Sequence, residues 1–106
     1  MTAVPAPVQS ALDAANSGDT EAFVAAFATD GVVDDWGREF RGHRDIETWT
    51  DAEFIGMQVT LQVTGIRQNG DTTVVSTQVG GKGFNGPSDF AFTVEGDLIS
   101  LMRITG

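Results

Sequence analysis

The sequence predicts a single α+β domain in which three helices gather on one side of a curved, mostly antiparallel sheet. Three observations point there. Apolar residues recur three and four apart through the first half of the chain, and from Met57 onward strict alternation replaces that spacing. Glycine-bearing breaks then divide the second half into segments of strand length. At 106 residues the chain has the size of one domain, residues 1–106, and 41% hydrophobic content is enough to bury a core.

The first seven residues, with Pro5 and Pro7, are expected as a flexible arm. Val8, Ala11, Leu12 and Ala15 then mark one face of a helix that Asn16-Ser17-Gly18 ends, the glycine suiting a left-handed cap. Asp19 stands at the N-cap of a second helix, with Glu21 in its first turn and Ala22, Phe23, Ala26 and Phe27 along its apolar face as far as Thr29. Residues 31–35 read as a strand, Trp36-Gly37-Arg38 as a turn and Glu39-Phe40-Arg41 as the returning strand of a small β-hairpin. A third helix follows from His43 to Phe54, with Ile46 and Trp49 three apart, and Gly56 ends it. Met57, Val59, Leu61 and Val63 alternate with polar residues, the pattern of a strand with one buried face. Strands over 72–80, 87–95 and 97–105 complete a meander through Asn69-Gly70, Gly83-Phe84-Asn85-Gly86 and Glu95-Gly96. In the last strand Leu98, Met102 and Ile104 are apolar on one face and Ile99 and Leu101 on the other. Two covered faces, and hence a homodimer, are expected from that.

Composition narrows the chemistry. Fifteen acidic residues against six basic ones leave a formal charge of −9, which repels phosphate backbones and anionic lipid headgroups, so neither nucleic acid nor a membrane is an expected partner. The chain has no cysteine and one histidine, too little sulfur and nitrogen for an ordinary metal centre, so no metal site is expected. Its start lacks the basic and apolar regions of a signal peptide, and no apolar run approaches the length that spans a bilayer, so a cytoplasmic protein is expected. The segment from Gly80 to Pro87 is glycine-rich but lacks the lysine-threonine pair of a phosphate loop; it reads as a hairpin connection whose Phe84 or Asn85 reaches over a pocket rim.

Three strings carry a likeness: Ala15-Asn16-Ser17-Gly18-Asp19, Phe27-Ala28-Thr29-Asp30-Gly31-Val32-Val33-Asp34-Asp35 and Phe40-Arg41-Gly42-His43-Arg44-Asp45-Ile46. In this order of elements the chain resembles the SnoaL-like branch of the nuclear transport factor 2-like superfamily, whose relatives include ketosteroid isomerase and the polyketide cyclases. The resemblance implies a cone-shaped, cystatin-like domain whose curved sheet wraps the helices and leaves a pocket at its open end. It implies a site that works without a cofactor on a small apolar, carbonyl-bearing molecule, by isomerisation, cyclisation or dehydration. Asp35 matches the family's first-strand carboxylate and is the expected general base. Strand parity shows only that Asp34 and Asp35 point opposite ways; read without the resemblance, the pair suits a solvated turn.

The chain also departs from its relatives. It has no tyrosine, and Ala11 stands where ketosteroid isomerase places one, so half of the oxyanion hole is missing and steroid isomerisation is not expected. The scytalone dehydratase route fails for the same lack. Asp89 lies on the strand face opposite Phe90, Phe92 and Val94, which leaves Ser88 with the pocket parity and makes it the expected hydrogen-bond donor. The aspartate, arginine and aspartate used for epoxide hydrolysis do not assemble on one strand face, since Arg67 and Arg103 fall at strand ends or on the other parity. Trp36, Trp49, Phe54, Phe84 and Phe90 are the expected apolar wall, although for the two tryptophans core packing, compatible with that role, is slightly favoured. Met57 and Met102 are expected as core fillers, and His43 as a neutral cap or solvent contact. The competing function is a non-catalytic dimerising or partner-binding module whose pocket is filled by its own side chains.

Overall fold

The computed structural model describes residues 4–106. Helix α1 spans Ala6–Ser17 and buries Val8, Ala11, Leu12 and Ala15. Of the expected arm, residues 1–3 lie outside the described residues, while Val4 packs against the core and Pro7 is buried in the first turn of α1 rather than flexible. Proline fits there because its missing N–H has no helical partner at that position. Gly18 closes the helix at φ 74°. Asn16 does more than mark the stop. Its Nδ2 donates to the Leu61 carbonyl at 3.0 Å and its Oδ1 accepts from the Leu61 N–H at 2.7 Å, imitating a strand partner.

Helix α2 is Thr20–Ala25, capped by the Asp19 Oδ1, which accepts from the Ala22 N–H at 3.0 Å. It ends before the expected Thr29, and strand β1 already begins at Phe27, running to Asp35. The Ala26 carbonyl accepts from the Ile99 N–H at 2.9 Å, so it is committed to the sheet and cannot serve a longer helix. Tertiary pairing here overrides local helical spacing.

Strand β2 (Arg38–Arg41) pairs antiparallel with β1 across the Trp36-Gly37 turn. Helix α3 occupies Gly42–Glu53 and buries Ile46, Trp49 and Thr50, and a single 3-10 turn, Ile55–Met57, follows it. Gly56 therefore lies inside that turn. A Cβ on it would stand 1.6 Å from the Asp51 carbonyl oxygen, so the glycine permits the close approach of two backbone segments.

Strands β3 (Thr60–Asn69), β4 (Thr72–Gly80), β5 (Gly86–Glu95) and β6 (Leu98–Thr105) complete one six-stranded sheet in the order β2-β1-β6-β5-β4-β3. All neighbours are antiparallel except β1 and β6, whose parallel pairing joins the hairpin to the meander. β3 starts later than the alternation suggests. Val59 and Leu61 are buried as expected, but Met57 and Val63 are exposed: Met57 sits in the 3-10 turn, and Val63, although paired with the buried Thr77, lies on the edge strand of the sheet just before a bulge between Val63 and Gly65.

The inward face presents Val75, Thr77 and Val79 from β4, Ser88, Phe90 and Phe92 from β5, and Ile99, Met102 and Ile104 from β6. The helices cover it, with Phe23 packed between Phe27 and Phe54 at ring separations of 5.3 Å each. Burying side chains of this size contributes about 1.5–3 kcal/mol apiece. Met102 is a core filler, as read from the sequence. Ile99 is fully buried within the chain, so the apolar stripe from which a homodimer was expected reduces to the half-buried Leu101. No helix among the described residues is long and apolar enough to cross a membrane.

Candidate functional site

Between α3, the 3-10 turn and the open end of the sheet lies a cavity of about 280 Å³. Each wall follows from local structure. On α3 the four-residue spacing of Trp49 and Glu53 places both on one face, Phe54 joins them from the junction of α3 with the 3-10 turn, and Met57 from the turn itself. Inward parity on the sheet brings Val79, Ser88, Phe90 and Ile104. The loop after β4 brings Phe84, and the end of β1 brings Asp35 and Trp36.

The five aromatic residues expected at the pocket all line this cavity, in two layers. Trp49, Phe54 and Phe90 form the buried layer, with Trp49 and Phe54 stacked at 4.9 Å and 22°. Trp36 at 63% exposed and Phe84 at 59% form the mouth, together with Met57 at 39%. Neither Trp36 nor Met57 is a core residue. Trp36 has φ 55° and Gly37 φ 91°, the paired positive values of a tight two-residue hairpin turn, and that conformation carries the indole outward. A left-handed backbone at a bulky residue costs about 1–2 kcal/mol.

Asp34 and Asp35 part company. Asp34 faces away from the cavity, where its Oδ1 accepts from the Gly37 N–H at 2.8 Å and its Oδ2 from the Arg103 Nε at 3.2 Å. Asp35 lines the cavity with its side chain 16% exposed. Its Oδ2 accepts from the Trp49 indole at 3.1 Å and from an Arg38 nitrogen at 2.5 Å. No hydrogen bond among the described residues reaches its Oδ1, and that oxygen is not sealed from solvent.

Arg38 grips Glu53 as well, through contacts of 2.7 and 3.2 Å. This fork joins two carboxylates with one guanidinium, leaving one negative charge in excess. The Arg38 hydrogen bonds hold Glu53 below the usual glutamate range; Glu53 and then Asp35 in turn hold Arg38 still more firmly charged. The sequence reading missed this cluster because it weighed only Arg67 and Arg103. The signal was present: Asp35 and Arg38 are cross-strand partners flanking a two-residue turn. An acid–arginine–acid set does assemble, but on a turn and a helix rather than a strand face. Arg38 itself stays outside the cavity lining.

Ser88 is buried at the cavity wall and its hydroxyl donates to the Thr105 carbonyl at 2.8 Å, so the proton expected to serve a ligand is already engaged. Asp89 lies on the outer face near Arg67, as its parity indicated. His43, in the first turn of α3, donates from Nε2 to the Phe27 carbonyl at 2.8 Å and takes a structural role. Among the described residues no three potential metal-binding side chains cluster.

A family model described as SnoaL-like domain matches residues 8–105. Among curated proteins none is similar to this chain. Several solved structures are. A candidate polyketide cyclase from Sinorhizobium meliloti is 27% identical, with TM-score 0.88 over 96% of this chain and 95% of its own. A protein of ketosteroid isomerase-like fold from Catenulispora acidiphila, solved with trimethylamine, is 25% identical, with TM-score 0.80 over 98% and 87%. The Δ5-3-ketosteroid isomerase of a Mycobacterium species shares 19% identity and the fold, with TM-score 0.79 over 95% and 90%. The ketosteroid isomerase-like architecture and the match along nearly the whole chain lead to one conclusion: this protein belongs to the SnoaL-like domain family.

Proposed function

We propose that this protein is a cofactor-free receptor for a small, largely apolar molecule, which enters between Trp36 and Phe84 and is held at its polar end by Asp35. The observation that carries this reading is the open aromatic cavity with the Asp35 Oδ1 accessible at its edge. Pockets of this composition, apolar with a few convergent polar groups, are the usual form of small-molecule sites. The Catenulispora relative, with trimethylamine in its structure, supports a small ligand for this fold.

Proton transfer next to a carbonyl has less support. The Asp35 Oδ2 is occupied in accepting from Arg38 and Trp49, and Ser88 has no free proton for a developing oxyanion. Epoxide hydrolysis is also weakly supported, because Arg38 lies outside the cavity. A module with a self-filled pocket fits less well than a receptor, given the open volume.

The chain has two tryptophans, and both line the cavity. Titration with 2-phenylethanol should therefore shift both indole N–H resonances saturably. Asp35→Asn, which replaces a charged acceptor with a neutral one, should weaken this binding about fivefold. An absence of saturable shifts at either indole would sink the receptor reading.

A further inference from the structure

We infer that the ligand is an organic cation, a protonated amine bearing an apolar and preferably aromatic substituent; this rests on the receptor reading above. The hydrogen-bonding capacity that the lining side chains leave free favours a donor. Trp49 gives its only N–H to Asp35, and Ser88 gives its only proton to the Thr105 carbonyl. Trp36 keeps an indole N–H, but at the exposed mouth rather than the buried layer. What remains is acceptor capacity: the Asp35 Oδ1 at the cavity edge, the partly exposed Glu53 carboxylate beside it and the lone pairs of the buried Ser88.

A carbonyl or carboxylate ligand would meet acceptors with acceptors. A neutral alcohol gains one hydrogen bond. An ammonium group gains a charge-assisted hydrogen bond to Asp35 and attraction to the negative faces of the surrounding rings. Arg38 does not cancel this. It neutralises one of the two carboxylates it joins, and its own nitrogens point to Asp35 and Glu53. The remaining negative charge lies at the cavity edge, in a chain whose formal charge of −9 also attracts cations at longer range.

Three probes with one benzyl tail test this: 2-phenylethylammonium, 2-phenylethanol and phenylacetate, titrated at pH 7 and followed by the two indole resonances. The ammonium should bind about tenfold more tightly than the alcohol, and phenylacetate more weakly than both. Raising the salt concentration should narrow the first ratio. Asp35→Asn should bring ammonium and alcohol to within about threefold of one another, and Glu53→Gln should narrow the gap less. The Glu53 variant also keeps the test alive if Asp35→Asn fails to fold. An alcohol that binds as well as the ammonium overturns the cation assignment while leaving the receptor reading standing. Silence from all three probes overturns both. A preference for the ammonium that survives both substitutions unchanged overturns the placement of the charge.

Discussion

Replacing Gly56 by alanine tests whether the 3-10 turn after α3 is as tightly built as its geometry requires. The added Cβ would stand 1.6 Å from the Asp51 carbonyl oxygen and 2.6 Å from its carbon. Ordinary contact begins at 3.4 Å, so close to 1.8 Å of separation must be found between two backbone segments. No rotamer change supplies it, since the obstructing atoms belong to the α3 backbone. Overpacking of this kind costs about 1–3 kcal/mol, and the upper end applies where backbone must move. Against that, alanine stiffens the unfolded chain and returns about 0.4–1 kcal/mol. The net loss is about 2 kcal/mol, equivalent to a fall of roughly 8–16 °C in Tm for a domain of this size. Thermal unfolding followed by circular dichroism measures it. Gly70→Ala is the comparison: Gly70 has φ +64° with no atom within 4 Å of a new Cβ, so it should lose only about 1–2 kcal/mol from its left-handed backbone. A Gly56→Ala protein that melts within about 3 °C of the parent would refute the close-approach argument.

Two further outcomes follow from contacts already described. Asn16→Ala should destabilise the fold by about 1–3 kcal/mol, because the Leu61 N–H and carbonyl both lose their partner; urea midpoints measure it, and an unchanged midpoint would mean that water replaces the asparagine without penalty. Glu53→Gln should alter the pH dependence of stability. Arg38 lowers Glu53 from its ordinary value of 4.5, so the pairing contributes fully above that value and is lost as pH falls through the lowered one. Glu53 is 42% exposed, which keeps the effect small. The parent should therefore lose slightly more Tm than the variant between pH 6 and strongly acidic pH, and parallel curves for the two proteins would contradict the pairing.

Much of this architecture was readable from spacing alone. The period of two and the glycine breaks located β4, β5 and β6 nearly to the residue, and the parity of Ser88 against Asp89 held in the folded chain. The errors share a cause: partners distant in sequence. Helix α2 stops short because Ile99 captures the Ala26 carbonyl, and nothing near residue 26 announces that. Val63 keeps the parity of Leu61 but stays exposed on the edge strand, where no neighbouring strand covers it, and Ile99 is buried in the protein's own core. At the site, the resemblance directed Asp35 inward, which parity could not do. The contact of Arg38 with Glu53 joins a hairpin to a helix and is a product of packing. Trp36 lines the cavity as expected of the apolar wall, but its turn conformation carries it to the exposed mouth, so the core-packing alternative does not hold for it.

The parallel pairing of β1 with β6 bears on how the molecule comes into being. β6 is the last strand in chain order, yet it lies between β1 and β5, and without it the sheet separates into β2-β1 and β5-β4-β3. Joining Phe27 to Ile99 closes a loop over most of the polypeptide, the kind of distant contact that slows folding. During synthesis the phenylalanines of β5 emerge before their neighbouring strand and stay uncovered until it arrives, an interval in which association with other nascent chains competes with folding. Asp35 at the end of β1 and Ile104 on β6 are paired residues that line the same cavity. The cavity therefore comes into existence in the same step that completes the sheet, and a half-folded chain presents exposed aromatic surface instead of a partial binding site.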